Sequence, residues 1–212
     1  MTEPLHLRTT RAAYDDIADL YADLFREGVA GQPVDRALLT AFAELVRKAD
    51  AGPVADLGCG PGHVTAQLRA LGPTVFGIDL SPAMITLARQ AYPDVRFDEG
   101  SMTALDLADG VLGGVLAWYS IIHTPPESLP EVFAEFHRVT APGGHLLLGF
   151  FQTNEEVEAF DHKVSLAYRW PIDRLTALLS RAGFAEVARL TREPEDGERF
   201  LHGRLIVRRP TG

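Results

Sequence analysis

The chain has 212 residues, and 20 Lys and Arg against 29 Asp and Glu give it a formal net charge of −9. Since a domain commonly takes about 100–200 residues, this length fits a single domain. The 46% hydrophobic and 23% charged content is typical of a globular protein and excludes a disordered or fibrous chain. One cysteine excludes a disulfide framework and a paired-cysteine zinc site. The acidic balance disfavours nucleic acid as a partner.

The sequence contains no apolar stretch approaching about eighteen residues, which is the length that a membrane span needs. Its first residues lack the apolar centre of a signal peptide. We therefore expect a cytoplasmic protein with no membrane partner.

Residues 10–49 precede the first predicted strand and have the pattern of two helices. Five apolar or aromatic residues of the first helix fall on one face, namely Tyr14, Ile17, Tyr21, Leu24 and Phe25. In the second helix the inward positions are Leu38, Leu39, Phe42, Leu45 and Val46. The sequence predicts an N-terminal helical cap over this range.

Seven short apolar runs are typical of strands, and they lie at 53–57, 74–79, 94–99, 112–120, 143–151, 184–190 and 202–209. Helical patterns separate most of them. One helix begins at Ser81-Pro82, where a hydroxyl precedes proline, and another covers 127–140. This alternation predicts an α/β fold, a doubly wound, mostly parallel seven-stranded sheet with helices on both faces.

A glycine-rich loop, Gly58-Cys59-Gly60-Pro61-Gly62, connects the first strand to the next helix. Glycines permit a sharp turn, and the exposed N–H groups at the helix start favour an anionic ligand group. His63 replaces the third glycine or alanine of a dinucleotide fingerprint, and no lysine is present for a P-loop. Asp79 ends the second strand, where a carboxylate can accept hydrogen bonds from both hydroxyls of a ribose. The alternative interpretation is that Asp79 caps a helix or stabilises a turn.

Five segments carry a family resemblance, and they are DLGCGPG at 56–62, GIDLS at 77–81, FDEGSMTALDL at 97–107, LAWYSIIH at 116–123 and HRVTAPGGHLLL at 137–148. With these motifs in this order, the sequence resembles the class I S-adenosylmethionine-dependent methyltransferases of bacterial small-molecule type. The resemblance implies a Rossmann-like fold, S-adenosylmethionine as cofactor, S-adenosylhomocysteine as product, and no metal.

The resemblance also implies a division of the chain and a set of cofactor-binding residues. A single methyltransferase domain over 1–212 would comprise the cap at 10–49, a cofactor-binding core at 50–150, an acceptor-side insertion at 151–171, and a C-terminal helix and strands at 172–212. The residues expected to contact the cofactor are Asp56, Gly58, Cys59, Gly60 and Gly62 at the methionine end, Asp79 at the ribose, Leu80, Ser101 and Met102 at the adenine, and Trp118 beside them.

We expect catalysis at the carboxyl end of the fourth strand. His123 is the first candidate for a base, because an imidazole with an ordinary pKa near 6.5 can remove a proton at neutral pH. The alternative is that His123 caps the following helix or packs under the cap. Tyr14 is the second catalytic candidate. We expect Tyr14 and Tyr21 to face the methionine end or the acceptor, unless their aromatic stripe is ordinary helix packing.

Trp118 and Tyr119 are consecutive on a strand, so we expect only one of them to face the crevice. Tyr119, Tyr21, His162 and Tyr168 are the residues expected to contact the acceptor. His6 and His202 have no spacing that supports a metal site.

These features predict methyl transfer to a small-molecule acceptor by in-line displacement, in which held geometry is the main contribution of the enzyme. A non-catalytic S-adenosylmethionine-binding module is the alternative, because the loop and Asp79 concern binding only. A dinucleotide-dependent oxidoreductase is disfavoured by His63. The acceptor, the attacking atom and the oligomeric state are left open by the sequence.

Overall fold

Helices and strands alternate along residues 3–212, the part of the chain that this computed structural model describes. The helices are α1 (Leu5–Asp16), α2 (Ala18–Leu24), α3 (Pro33–Ala49), α4 (His63–Ala70), α5 (Pro82–Ala91), α6 (Leu129–Val139) and α7 (Ile172–Arg181). The strands are β1 (Val54–Leu57), β2 (Val75–Asp79), β3 (Phe97–Glu99), β4 (Leu112–Trp118), β5 (Thr140–Thr153), β6 (Glu158–Asp161), β7 (Leu166–Pro171), β8 (Ala185–Arg192) and β9 (Leu201–Arg208). Among the described residues, no helix has the length and apolarity needed to cross a bilayer.

The strands form one sheet in the order β3-β2-β1-β4-β5-β7-β6, with β9 paired to β5 and β8 paired to β9. Strands β1 to β5 run parallel, whereas β9 is antiparallel to β5 and β8. The chain winds outward from β1 to β3 and then returns to the other side of β1 with β4. This reversal opens a crevice at the carboxyl ends of β1 and β4, where ligands bind in doubly wound sheets.

The predicted doubly wound, mostly parallel fold is confirmed, and each of the seven predicted strands is present. The sheet also gains two short strands within 151–171. There β6 and β7 form an antiparallel hairpin in which Glu158 lies opposite Arg169 and pairs with it. The end of β7 also continues the sheet beside β5. The hairpin therefore extends the sheet over its crevice side.

The first predicted helix is wrong in one respect, because the chain bends at Ile17 and forms α1 and α2 instead of one continuous helix. The bend allows two separate anchors. Asp15 accepts hydrogen bonds from the Ser81 hydroxyl and from the Ala83 amide at the start of α5, while the Ala22 carbonyl accepts one from His63 of α4. Leu24 and Phe25, which were predicted on the apolar face of this helix, are 69% and 52% exposed.

The predicted inner face of α3 is confirmed, since Leu39, Phe42 and Val46 are buried against β1, β4 and β5. Leu38 and Leu45 are partly buried beside them. The opposite face of the sheet is covered by α6 and α7, and its core is the larger of the two. Both sheet faces are therefore apolar, as the continuous apolar strands require.

A buried ion pair joins α3 to β9. Asp35 and Arg204 are 0% and 1% exposed, and the guanidinium donates two hydrogen bonds to the carboxylate at 2.9 and 2.8 Å. The same guanidinium lies 4.4 Å from the centre of the Trp118 ring and 4.9 Å from that of Tyr119. Arg204 therefore supports the two aromatic residues that follow one another at the end of β4.

We predict that Asp35→Ala lowers the free energy of unfolding by about 3–5 kcal/mol, because it leaves the Arg204 charge buried without its partner. Urea unfolding followed by circular dichroism measures the loss. The control is Asp173→Ala, which breaks the exposed ion pair between Asp173 and Arg189 and should change little. Equal effects of the two substitutions would contradict the prediction.

Candidate active site

The glycine-rich loop lies directly after β1 and packs against the end of β4. Gly58 has a φ of +72°, and a Cβ there would come within 2.3 Å of the Ser120 Cβ. Gly60 has a φ of +53° and its missing side chain would point into the crevice, 3.9 Å from the ring of Tyr21. Only glycine fits at Gly58, and the bare backbone at Gly60 is open to a ligand.

Asp79 connects this loop to the end of β2. One carboxylate oxygen accepts a hydrogen bond from the Gly60 amide at 2.7 Å, and the other accepts one from the Ser81 amide at 2.9 Å. Burial raises the pKa of Asp79, and the amide hydrogen bonds oppose this change. Because a carboxylate has about four acceptor positions, Asp79 can accept two more hydrogen bonds from a ligand.

Asp56 is the second acid of the site and it is 1% exposed. The Thr65 hydroxyl donates to one of its oxygens at 2.6 Å, whereas the other oxygen is buried without a hydrogen-bond partner among the described residues. Burial raises the pKa of Asp56 to about 7. An unpartnered oxygen of this kind is costly to bury and is suited to a cationic ligand group.

Tyr14 of α1 and His123 after β4 are in direct contact. The phenolic oxygen of Tyr14 lies 2.9 Å from Nε2 of His123, and Nδ1 of His123 lies 2.8 Å from the Leu166 carbonyl. Since a carbonyl only accepts, Nδ1 carries the proton and Nε2 accepts from the tyrosine hydroxyl. The two residues predicted to be catalytic thus form a hydrogen-bonded pair, and His123 does not cap α6.

Burial keeps this pair neutral. It lowers the pKa of His123 from 6.5 to about 4, and it raises the pKa of Tyr14 well above its ordinary value of 10. At neutral pH the imidazole is therefore an unprotonated acceptor and the phenol is a donor. The pair can take up a proton from a bound ligand through Tyr14 and His123.

A narrow crevice runs along the glycine loop beneath α1. It collects most of the residues predicted to contact the cofactor or to react, namely Tyr14, Tyr21, Gly58, Gly60, Asp79, Leu80, Ser101, Met102, Trp118, Tyr119 and His123. A wider chamber adjoins it, with a volume of about 460 Å³. The predicted residues on the chamber wall are Tyr14, Tyr21, Asp56, Gly58, Cys59, Gly60, Trp118, Tyr119 and His162.

The expectation that only one of Trp118 and Tyr119 faces the crevice is wrong, because both line it. Strand β4 ends at Trp118, and Tyr119 has a φ of +55°, so the alternation of side chains along a strand stops between them. The Tyr119 hydroxyl is hydrogen-bonded to Nδ1 of His202. This contact directs the Tyr119 ring into the chamber wall.

Two predicted site residues lie outside both cavities. Gly62 begins α4 with a φ of +82°, and a Cβ there would come within 2.7 Å of the Phe97 ring, so its position is fixed by packing. The Tyr168 side chain packs against the larger core. Cys59 lines the chamber, and burial raises the pKa of its thiol, which keeps it protonated.

His63 has a structural position. Its Nε2 lies 3.1 Å from the Ala22 carbonyl, and its Nδ1 lies 2.9 Å from the Tyr92 hydroxyl. The residue that departs from the dinucleotide fingerprint therefore connects α2 and α5 to the start of α4.

Sequence reasoning missed several residues of the two cavities. Arg11 lines the crevice and donates a hydrogen bond to the Leu80 carbonyl at 3.1 Å. Phe200, which directly precedes β9, and His202, which lies within β9, both line the chamber. No local motif marks these positions, because they reach the site only through the pairing of β9 with β5. Residues 3–212 contain no cluster of three side chains suited to a metal ion.

Comparisons with known proteins agree with this geometry. Residues 54–144 match the family described as "Methyltransferase domain". The demethylmenaquinone methyltransferase of Chlorobaculum parvum is 31% identical over 139 residues, which are 63% of this chain and 56% of that protein. The chain thus spans little more than half the length of that relative.

Two solved structures share the fold over nearly the whole chain. The 1,6-didemethyltoxoflavin-N1-methyltransferase of Burkholderia thailandensis, with bound S-adenosylhomocysteine, has a TM-score of 0.75 at 21% identity and covers 99% of this chain and 93% of its own. The 4+2 cyclase SpnF has a TM-score of 0.76 at 16% identity and covers 100% and 98%. The fold alone therefore does not determine the reaction.

The family match, the identity to a methyltransferase and the glycine loop followed by Asp79 agree on one assignment. Residues 54–144 therefore form a methyltransferase domain, and the chain is similar to the class I S-adenosylmethionine-dependent methyltransferases.

Proposed function

We propose that this protein transfers a methyl group from S-adenosylmethionine to a small-molecule acceptor that binds in the chamber. The observation that carries the proposal is the position of Tyr14. This residue lines both the crevice and the chamber, and its hydroxyl is bonded to a neutral His123. A proton acceptor thus lies where a cofactor in the crevice and a substrate in the chamber would meet.

The crevice and the adjoining part of the chamber have groups that fit each part of the cofactor. The free acceptor positions of Asp79 suit the ribose hydroxyls, and the unpartnered oxygen of Asp56 suits the methionine ammonium. Leu80, Ser101 and Met102 line the far end, where the adenine would lie. These side chains would bind and orient the cofactor between α1 and the ends of β1 and β2.

S-adenosylmethionine supplies a methyl group on a sulfonium, so attack by an acceptor lone pair forms the new bond as the carbon–sulfur bond breaks. The protein has to align the acceptor and remove its proton. A hydroxyl oxygen becomes strongly acidic as it is methylated, so a weak base suffices. Tyr14 would accept that proton as its own passes to Nε2 of His123, and the Leu166 carbonyl would hold the resulting imidazolium.

The acceptors of two similar proteins support a small-molecule substrate. Their names specify demethylmenaquinone and 1,6-didemethyltoxoflavin, and both proteins are methyltransferases. SpnF, by contrast, is a cyclase with the same fold. Formation of S-adenosylhomocysteine in the presence of an acceptor distinguishes methyl transfer from cofactor binding without turnover.

We predict that Asp79→Asn weakens S-adenosylmethionine binding roughly 10- to 100-fold, because hydrogen bonds to a charged acceptor are lost. Isothermal titration calorimetry measures the dissociation constant. The control is Asp98→Asn on the neighbouring strand β3, where the carboxylate pairs with Arg96 outside both cavities. Unchanged affinity in the Asp79 variant would overturn the ribose assignment.

We predict that Tyr14→Phe and His123→Gln each lower kcat roughly 100-fold or more, since each removes one member of the proton-accepting pair. Affinity for the cofactor should change much less in the His123 variant. His137→Gln is the control, because His137 is a half-buried histidine on α6 outside both cavities. Full activity of both variants of the pair would rule out its catalytic role.

The pH dependence of kcat follows from the lowered pKa of His123. The imidazole is the active base when neutral, and burial keeps it neutral down to about pH 4. At saturating cofactor we therefore predict a constant kcat from pH 8 to about 5, with a loss only as the pH falls through about 4. A loss centred near 6.5 that disappears in His123→Gln would contradict the burial of this residue.

A further inference from the structure

We infer that the chamber takes a planar aromatic acceptor that carries no negative charge. This inference rests on the proposed function, because it identifies the class of molecule that would occupy the acceptor side of that site. It is drawn from the shape and chemistry of the chamber wall.

Three phenylalanines from separate elements form one side of the chamber. Phe151 of β5 and Phe160 of β6 have ring centres 5.5 Å apart, and Phe160 and Phe200 have centres 4.9 Å apart. Tyr119 continues the wall, with its ring centre 4.9 Å from that of Phe151. The four rings meet at steep angles, which leaves faces and edges available to a further ring.

These rings are not an ordinary core. Each of the three phenylalanines is half-buried, and each lines the open chamber. By contrast, Phe133 and Phe136 on the inner face of α6 are fully buried. Half-covered rings around an open space leave apolar surface in water, and covering that surface favours an apolar ligand.

The charges of the wall argue against an anionic acceptor. Lys163 and Arg199 line the chamber but are exposed at its rim. The buried guanidiniums nearby are already paired, Arg192 with Glu198 and Arg204 with Asp35. Among the described lining residues no buried cation is left for a carboxylate or a phosphate, and burying either group without such a partner is costly.

Neutral polar groups of the chamber lie beside the proton-accepting pair. The His162 ring centre is 5.2 Å from that of His123, and burial lowers the pKa of His162. Its Nδ1 has no hydrogen-bond partner among the described residues. An aromatic ring held by the phenylalanines can thus present a hydroxyl or a ring nitrogen to His162 and Tyr14.

The size of the chamber fits this class. The volume of about 460 Å³ includes the space beside Asp56 and the glycine loop, which the methionine end of the cofactor would occupy, and it falls within the range of about 300–1,000 Å³ that is usual for small-molecule sites. The chamber therefore has room for a molecule of one or two fused rings with a few substituents.

The test measures binding of matched probes to the protein saturated with S-adenosylhomocysteine. The probes are 2-naphthol, its saturated counterpart decahydro-2-naphthol, and the anion 2-naphthoate, with dissociation constants from calorimetry. We expect 2-naphthol to bind at least tenfold more tightly than each of the other two. Equal or weaker binding of 2-naphthol, or preferential binding of 2-naphthoate, would overturn the inference.

Two substitutions test whether 2-naphthol binds at the wall formed by the phenylalanines. Phe160→Leu should weaken 2-naphthol binding at least fivefold while leaving S-adenosylhomocysteine binding unchanged. Phe184→Leu makes the same substitution next to His137, outside both cavities, and should leave 2-naphthol binding unchanged. An effect of equal size in both variants would mean that 2-naphthol does not bind at the phenylalanine wall.

The measurements separate this inference from the proposed function. S-adenosylhomocysteine binding is determined first, without any acceptor probe, and its absence would refute the proposed function. If the cofactor product binds but 2-naphthol has no advantage over its saturated and anionic counterparts, only the substrate class is refuted.

Discussion

The carboxylate of Asp79 is the contact on which the arrangement of the site depends. One of its oxygens accepts a hydrogen bond from the Gly60 amide and the other accepts one from the Ser81 amide. These bonds fix the glycine loop to the turn between β2 and α5. Ser81 in turn donates to Asp15 of α1, which carries Tyr14 over the crevice. One acid thus sets the loop, the start of a helix and, through one further hydrogen bond, the position of the cap.

The helical cap sets the protonation states of Tyr14 and His123 by excluding water. Tyr14 and His123 would titrate near their ordinary values if they were exposed, and the imidazole would be partly protonated at neutral pH. Their burial under α1 instead keeps the phenol protonated and the imidazole neutral. The Leu166 carbonyl then fixes the tautomer from the β6–β7 hairpin. The crevice, the Tyr14–His123 pair and the chamber wall therefore depend on the same closure of α1 and the hairpin over the sheet.

Local sequence was sufficient to predict the central sheet, because its strands are apolar on both faces and its glycine loop has a characteristic spacing. It also pointed to Tyr14 and His123, whose catalytic role stays a prediction, but no pattern predicts the hydrogen bond that joins them across 109 positions. The bend at Ile17 was not predictable, since it results from anchors at Ser81 and Ala22 and not from a helix-breaking residue. Phe200 and His202 were missed because only the pairing of β9 with β5 brings them to the chamber.

The buried Asp35–Arg204 pair gives the aromatic wall a support that an apolar core would not provide. A guanidinium at 4.4 Å from Trp118 and 4.9 Å from Tyr119 attracts the faces of both rings, and Asp35 balances its charge. The Tyr119 hydroxyl is further held by Nδ1 of His202, and Nε2 of the same histidine lies 3.2 Å from a carboxylate oxygen of Glu198. The Glu198 carboxylate also accepts two hydrogen bonds from Arg192. The loop that carries Glu198 and Phe200 is therefore fixed to β8 through Arg192. Paired charges beside and behind the wall thus hold its rings in place and leave the chamber without an unpaired buried cation among the described residues.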